Sequence, residues 1–279
     1  MSASQVAGTF NSTSNEFDSV TPAVWGPAGQ TLSFALDLRA GESVLDVCAG
    51  TGASALPAAM AVGPSGTVHA IDLAEDLLTV ARAKATASAL RNVEFVCADA
   101  TEWEAPSTID GGYDALSCSY GIFFLPNMEV SFTRLVAMVR PGGRVGVTVW
   151  RKGAIETFGA AFFDVVARYA PEVAHSGPRS KEGYASHPIR RVETAESLSA
   201  WLQARGCESV RVRELSNHVP TTDVFAWNFV LGSGFRGALS AFDDKARESI
   251  RREFLELLAT RGIDSVDAST LVATGIRAS

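Results

Sequence analysis

From Glu42 onward, short runs that are apolar at nearly every position alternate with stretches of helical period. The runs are SVLDVCA, TVHAID, VEFVCADA, YDALSCS and RVGVTVW, and helices are predicted at 53–62, 74–90 and 128–140. Continuous rather than alternating apolar character is expected of strands covered on both faces. Strand and helix in strict alternation build a parallel, doubly wound sheet with helices on either side. Past Trp150 the pattern predicts a helix at 155–169 and then an irregular stretch, 171–192, that holds His175, Tyr184 and His187 and reads as a lid or wall. A helix at 195–205 ends at Gly206, a residue suited to a left-handed cap, and leads into the strand ESVRVREL. The last strand is STLVATGIR. The residues between these two strands are far more than a hairpin turn needs and carry helical period, so they are read as an inserted cap. Residues 1–40 mix Ser, Thr, Asn, Gly and Pro with isolated Phe10, Phe17 and Trp25, and are expected to form no regular element but to wrap over a site as a lid. The division that follows is 1–40 lid, 41–150 core, and 151–279 remaining strands with cap segments at about 151–193 and 217–268.

Composition narrows the partners more than the fold. The 279 residues are 47% hydrophobic and 20% charged, the range of ordinary folded proteins. A net charge of −7 opposes binding to a dense phosphate lattice, so no nucleic-acid partner is expected. Cys48, Cys97, Cys118 and Cys207 form no CxxC pair and have no histidine at zinc-ligand spacing; they are read as reduced thiols, and no metal site is assigned. No apolar run reaches the roughly 20 residues of a membrane span, and the opening segment lacks the basic-then-apolar order of a secretion signal, which points to the cytoplasm. Oligomeric state is left open, a homodimer included.

The chemistry concentrates at strand ends, where ligands of such sheets bind. In VLDVCAGTGASALPAA an apolar strand ends in Asp46 and runs through Ala49, Gly50, Thr51 and Gly52 into a helix. Two glycines let backbone approach a ligand at the helix start. Gly50-Thr-Gly52-Ala-Ser-Ala55 also satisfies the degenerate dinucleotide pattern, so an NAD(P)-dependent oxidoreductase stands as an alternative. Asp46 weighs against it: a carboxylate there faces a pyrophosphate unfavourably but suits a cationic ligand. Asp72 ends the second strand, twenty positions after Gly52, where an acid accepts from ribose hydroxyls in either enzyme class. Asp99 and Ala100 close the third strand, in position to meet an adenine amino group.

The blocks VLDVCAGTG, IDLAED, CADA and LVAMVRPGGRVGVTVW, in this order, resemble the class I S-adenosylmethionine-dependent methyltransferases. The similarity is greatest to the ubiquinone and menaquinone C-methyltransferases and their actinobacterial small-molecule relatives, through VLDVCAGTG and SCSYGIFFLPN. The resemblance implies a seven-stranded Rossmann-like sheet, ordered 3-2-1-4-5-7-6 with the last strand antiparallel, under a mostly helical substrate cap. It implies S-adenosylmethionine as methyl donor and S-adenosylhomocysteine as product. Asp46, Gly50 and Gly52 would hold the methionine end, Asp72 and Leu73 the ribose, and Asp99 and Ala100 the adenine, with Ser117, Cys118, Ser119 and Gly121 lining the pocket. Cys48 stands where the family's commonest motif has its first glycine. A protein that binds the donor without catalysis is the other alternative, because methyl transfer demands little acid-base help.

An acceptor such as a phenol, enol or acidic carbon would gain from a base near neutral pH, and histidine is the natural one. His218, after the sixth strand, is the first choice, with His187 and His175 behind it. His69, in mid-strand, is read as a packed core residue. Tyr120, directly after the fourth strand, is the remaining catalytic candidate, with packing against the donor favoured over proton transfer because a phenol's ordinary pKa is near 10. Phe10, Phe17, Trp25, Phe123, Trp150, Tyr184 and Trp227 are candidates for an aromatic enclosure around a flat acceptor. Arg236, in Gly232-Ser-Gly-Phe-Arg236-Gly, would serve as an anion site or else sit in a helix-ending turn.

Overall fold

The computed structural model describes residues 3–170 and 187–279. Strands β1 (Ser43–Val47), β2 (Thr67–Asp72), β3 (Val93–Cys97), β4 (Tyr113–Ser119), β5 (Val139–Trp150), β6 (Cys207–Leu215) and β9 (Thr270–Arg277) make one sheet ordered β3-β2-β1-β4-β5-β9-β6. The first five are parallel, and β9 runs antiparallel between β5 and β6. This is the expected order. The final strand is the ninth in the chain only because β7 (His218–Pro220) and β8 (Ser265–Asp267) pair as a separate ribbon. From β1 the chain winds outward through β2 and β3, then crosses back to β4 and β5. The crevice therefore opens at the carboxyl ends of β1 and β4.

Helices α4 (Ala55–Val62) and α5 (Glu75–Ala87) cover one face of the sheet, where Ala58, Val62, Leu78 and Ala81 meet Val44, Val68 and Ala70. The larger cluster on the other side joins β4 and β5 to α6 (Met128–Ala137), α7 (Glu156–Tyr169), α8 (Ala195–Gln203), α9 (Asp223–Leu231) and α10 (Asp244–Thr260). The charge-rich α10 turns Ile250, Phe254 and Leu258 inward and its charges outward, as an amphipathic surface helix does.

Residues 1–40 depart from expectation: they form three helices, α1 (Ala3–Asn11), α2 (Ser14–Val20) and α3 (Trp25–Ala35). Weak helix formers hid them. In α3 the glycines serve contact rather than propensity, since a Cβ on Gly29 would stand 2.2 Å from the Ala53 carbonyl oxygen. Backbone thus lies against backbone, and Trp25, Ala28 and Leu32 fill one buried stripe. The α2 segment is pinned over the core by an ion pair from Asp18 to Lys84 and by the Thr21 and Thr51 hydroxyls, 3.3 Å apart.

Candidate active site

The loop from β1 to α4 coils through left-handed positions at Cys48 (φ 58°), Gly50 (53°) and Gly52 (87°). Glycine carries such angles without a side-chain clash, whereas Cys48 adopts one at a cost. The coil aims the Gly50 amide at the end of β2, where it donates to Asp72 Oδ2 at 2.8 Å; the Ala74 amide donates to Oδ1 at the same distance. Asp72 is thereby held between two strand-end loops. Burial raises its pKa and these amide bonds oppose the rise.

The register that sets Asp46 beside Ser117 makes that hydroxyl a donor to Asp46 Oδ1, and the Ser54 hydroxyl donates to Oδ2 at 3.0 Å. Asp46 is fully buried, and burial pushes its carboxyl up to about 7. At the end of β3, Asp99 Oδ1 accepts from the Thr101 amide and hydroxyl, at 2.8 and 2.7 Å.

Above these strand ends lies a cavity of about 780 Å³. At one end its wall is formed by Ala49, Gly50, Asp72, Leu73, Asp99, Ala100, Ser119 and Gly121. Asp46, Thr51, Gly52, Ser117 and Cys118 stand behind that wall, where they brace the loop rather than face the space. At Gly121 an added Cβ would come within 2.5 to 2.7 Å of Cys48 and Cys118, so the absence of a side chain keeps the two loops together.

The other end is aromatic. Phe10, Phe17, Trp25, Phe123 and Trp150 line it. Phe17 stacks on Trp25 with centroids 5.3 Å apart and meets Phe10 edge-on at 6.2 Å. Phe17 also reaches over Gly50, so the lid touches both halves of the cavity. Tyr120 lies between Trp25 and Trp150, with centroids 5.1 and 4.5 Å away, and its hydroxyl pairs with that of Thr270. Burial drives this phenol far above its usual range, so it packs and does not accept protons.

The histidines separate cleanly. His187 is on the cavity wall beside Phe123, centroids 6.0 Å apart. His218 is not: it is exposed on the β7–β8 ribbon, opposite Asp267, because β7 pairs with β8 apart from the main sheet. That placement removes the first-choice base. His69 is a core residue bonded to the Tyr113 hydroxyl at 2.8 Å. His175 and Tyr184 lie outside the described residues.

Trp227 is half-buried against the core and off the cavity wall. Gly232 ends α9, and Arg236 sits in a short 3-10 turn, Gly234–Leu239; it too is off the wall, whereas Ser233 and Phe235 are on it. Phe163, Phe229 and Phe235 complete the enclosure and were not singled out from sequence. A signal was present on α7, where Glu156, Gly159, Ala160, Phe163, Asp164 and Ala167 recur at helical spacing and all face the cavity.

The model of the ubiE/COQ5 methyltransferase family matches residues 3–225. Aklanonic acid methyltransferase DauC of Streptomyces sp. (strain C5) is 31% identical over 216 residues, which span 75% of this chain and 94% of that protein. Ubiquinone/menaquinone biosynthesis C-methyltransferase UbiE of Enterobacter sp. (strain 638) is 28% identical over 223 residues, 77% of this chain and 87% of the relative. Among solved structures, the [4+2]-cyclase SpnF shares the fold with a TM-score of 0.59 at 17% identity, over 99% of this chain and 96% of that one.

Proposed function

This chain belongs to the ubiE/COQ5 methyltransferase family, and from that membership we propose that its cavity methylates oxygen or carbon of a small aromatic, quinone-like or polyketide-like acceptor. It is an S-adenosylmethionine-dependent methyltransferase; the donor, when bound, supplies a methyl group made electrophilic by a sulfonium. The residues present fit that donor. Gly50 and Gly121 leave the loop backbone bare where side chains would intrude. Asp72 offers oxygens to ribose hydroxyls, Asp99 and Ala100 border the adenine position, and Asp46 sets a titratable carboxyl beneath the cationic end.

The observation that carries the acceptor class is the continuity of the cavity: strand-end acids and glycines at one end pass directly into Trp25, Trp150, Phe163, Phe229 and Phe235 at the other. Rings of this kind bury a flat apolar body and exclude water, which is what an in-line transfer to an aligned nucleophile needs. DauC is named for aklanonic acid and UbiE for the biosynthesis of ubiquinone and menaquinone, and a quinone ring agrees with such a body. No described helix is long and apolar enough to cross a membrane, and we place the enzyme in the cytoplasm with a small-molecule partner rather than nucleic acid.

The test is calorimetric titration with S-adenosylmethionine, followed by incubation with phenols, hydroquinones, hydroxyquinones and aromatic acids, and detection of S-adenosylhomocysteine with the methylated product. Donor binding with turnover of at least one of these is expected. Donor binding with silence across the panel would favour a non-catalytic role.

A further inference from the structure

A buried indole N–H usually finds an oxygen, because an unpaired donor forfeits its hydration for nothing. Two indoles on the cavity wall have found none. Trp25 is 7% exposed and its Nε1 is fully buried; Trp150, which ends β5, is half-buried. Neither N–H has a hydrogen-bond partner among the described residues. The two rings lie 5.6 Å apart, centroid to centroid, and share Tyr120 and Phe229 as neighbours. Packing alone would be served by phenylalanine, which brings no donor to bury. Hydroxyls elsewhere on the wall are committed: Ser54 donates to Asp46 at 3.0 Å, Ser119 is paired with Thr148 at 2.9 Å, and Tyr120 with Thr270. The Trp25 nitrogen is closed off behind its ring neighbours, whereas Trp150 keeps part of its surface open on the cavity. A ligand in the cavity meets Trp150.

We propose, resting on the methyltransferase reading above, that the Trp150 N–H is a specificity-determining donor and that the flat body of the acceptor carries a neutral carbonyl oxygen to receive it. The substrate class is then a hydroxylated quinone or aryl ketone rather than a hydroquinone or a simple phenol. An indole N–H donates and never accepts, so its partner must offer a lone pair. An ammonium has none. A carboxylate has several, but among its described residues the wall carries Asp72, Asp99, Glu156 and Asp164 and no Lys or Arg to offset their repulsion. A hydroxyl can accept but brings a hydrogen of its own, and the one oxygen on the rings around Trp150, that of Tyr120, is paired with Thr270. A carbonyl is satisfied by a single N–H and strands nothing. It keeps one lone pair free even where a neighbouring hydroxyl of the same molecule bonds to the other. Those lone pairs lie in the plane of the ring system, so the body can stack on the aromatic wall while its edge is held.

Calorimetry on the complex with S-adenosylhomocysteine tests this without turnover. The ligands are 8-hydroxy-1-tetralone and 5,6,7,8-tetrahydro-1-naphthol, the same bicyclic phenol with a carbonyl in the first where the second has a methylene. The parent should bind the ketone about 5- to 10-fold more tightly, the worth of one neutral hydrogen bond. W150F keeps an aromatic ring and removes the donor, and it should bring the two affinities within about twofold of each other. W25F, which loses a sealed N–H, and S233A, which loses a hydroxyl of the wall, should both keep the preference. Equal affinity for S-adenosylhomocysteine in the parent and the three variants certifies the fold. A ketone preference that survives in W150F would overturn the assignment and pass the role to another donor of the wall, Ser233 or His187. Loss of the preference in W25F or S233A but not in W150F would overturn it as well. A parent that binds both ligands alike, or does not bind the ketone, would remove the carbonyl class itself, and turnover of any other acceptor would then leave the methyltransferase reading standing. Failure to bind S-adenosylhomocysteine at all would sink that reading and this inference with it.

Discussion

The two ends of the cavity are built on different principles. The end we assign to the donor is made of backbone: left-handed loop residues and the Gly50 and Ala74 amides converge on Asp72, all within residues 44–121. The end we assign to the acceptor is made of side chains from distant segments, with Phe10, Phe17 and Trp25 from the N-terminal helices, Phe163 from α7, Phe229 from α9 and Phe235 from the turn beyond it. Backbone hydrogen bonds hold their geometry only if the loop is folded, so donor binding and local stability rise and fall together. Rings can be exchanged one at a time, so acceptor choice can change while the donor site stays as it is.

The largest effect should follow from breaking the donor end at its central acid. Asp72→Ala removes the acceptor of two amide hydrogen bonds and the partner expected for the ribose hydroxyls. Affinity for S-adenosylmethionine should fall on the order of 100-fold, and the protein should lose about 1–3 kcal/mol for the amides left unpaired. Calorimetric titration and thermal unfolding read the two losses. Unchanged affinity would mean that the donor does not rest on this wall, and the comparison between the ends would lose its first term.

A smaller effect, confined to the other end, is expected of Phe163→Ala. The ring is half-buried on the cavity wall and contacts Phe162 and Phe235, with centroids 5.3 and 5.9 Å away. Its loss should raise the acceptor KM roughly tenfold, the scale of a few kcal/mol or less of apolar contact. Donor affinity should stay within about twofold. Steady-state kinetics with each substrate varied in turn gives both values, and a parallel fall in donor affinity would show that the ends are not independent.

The same contrast explains what could be read from sequence. The donor end is local: a strand, an acid, two glycines and a helix follow one another in VLDVCAGTGASALPAA, and a parallel, doubly wound sheet follows from the alternation of apolar runs with helices, whereas the strand order was legible only through the family resemblance those blocks carry. Even there the sequence could not tell wall from support, because Asp46 and Ser117 are neighbours only through the β1–β4 register, which buries both. The acceptor end is non-local. His218 seemed poised beside the crevice because the strand before it ends near there, yet its pairing with Asp267 in a separate ribbon carries it away. Phe229 and Phe235 lie in the segment read as an inserted cap but were not singled out there; both are buried in the core and also border the cavity. The lid helices went unread because Gly26, Pro27 and Gly29 lower helix propensity while permitting the close backbone contact that stabilises α3.

The most modest effect is expected of pH, and it falls on the donor end alone. Asp46 has its carboxyl pushed up to about 7 from an ordinary 3.8 by burial, with Asp72 adding a like charge nearby and the Ser117 and Ser54 hydroxyls pulling the other way. Because the folded value lies above the unfolded one, the unfolded chain holds fewer protons between about pH 4 and 7; stability is greatest below that window and falls as pH rises through it. A cationic ligand above the loop favours the ionised form, so donor affinity should run opposite to stability and rise about three- to tenfold from pH 6 to 8. S-adenosylhomocysteine lacks the sulfonium and should show a shallower rise. Asp46→Asn keeps the shape but holds no charge at any of these pH values. It should flatten both dependences, binding the donor several-fold more weakly at pH 8 while unfolding at a higher temperature there than the parent. Should the variant instead follow the parent at every pH in both calorimetry and thermal unfolding, the buried acid would be a bystander, and the loop amides with Asp72 would account for the donor end by themselves.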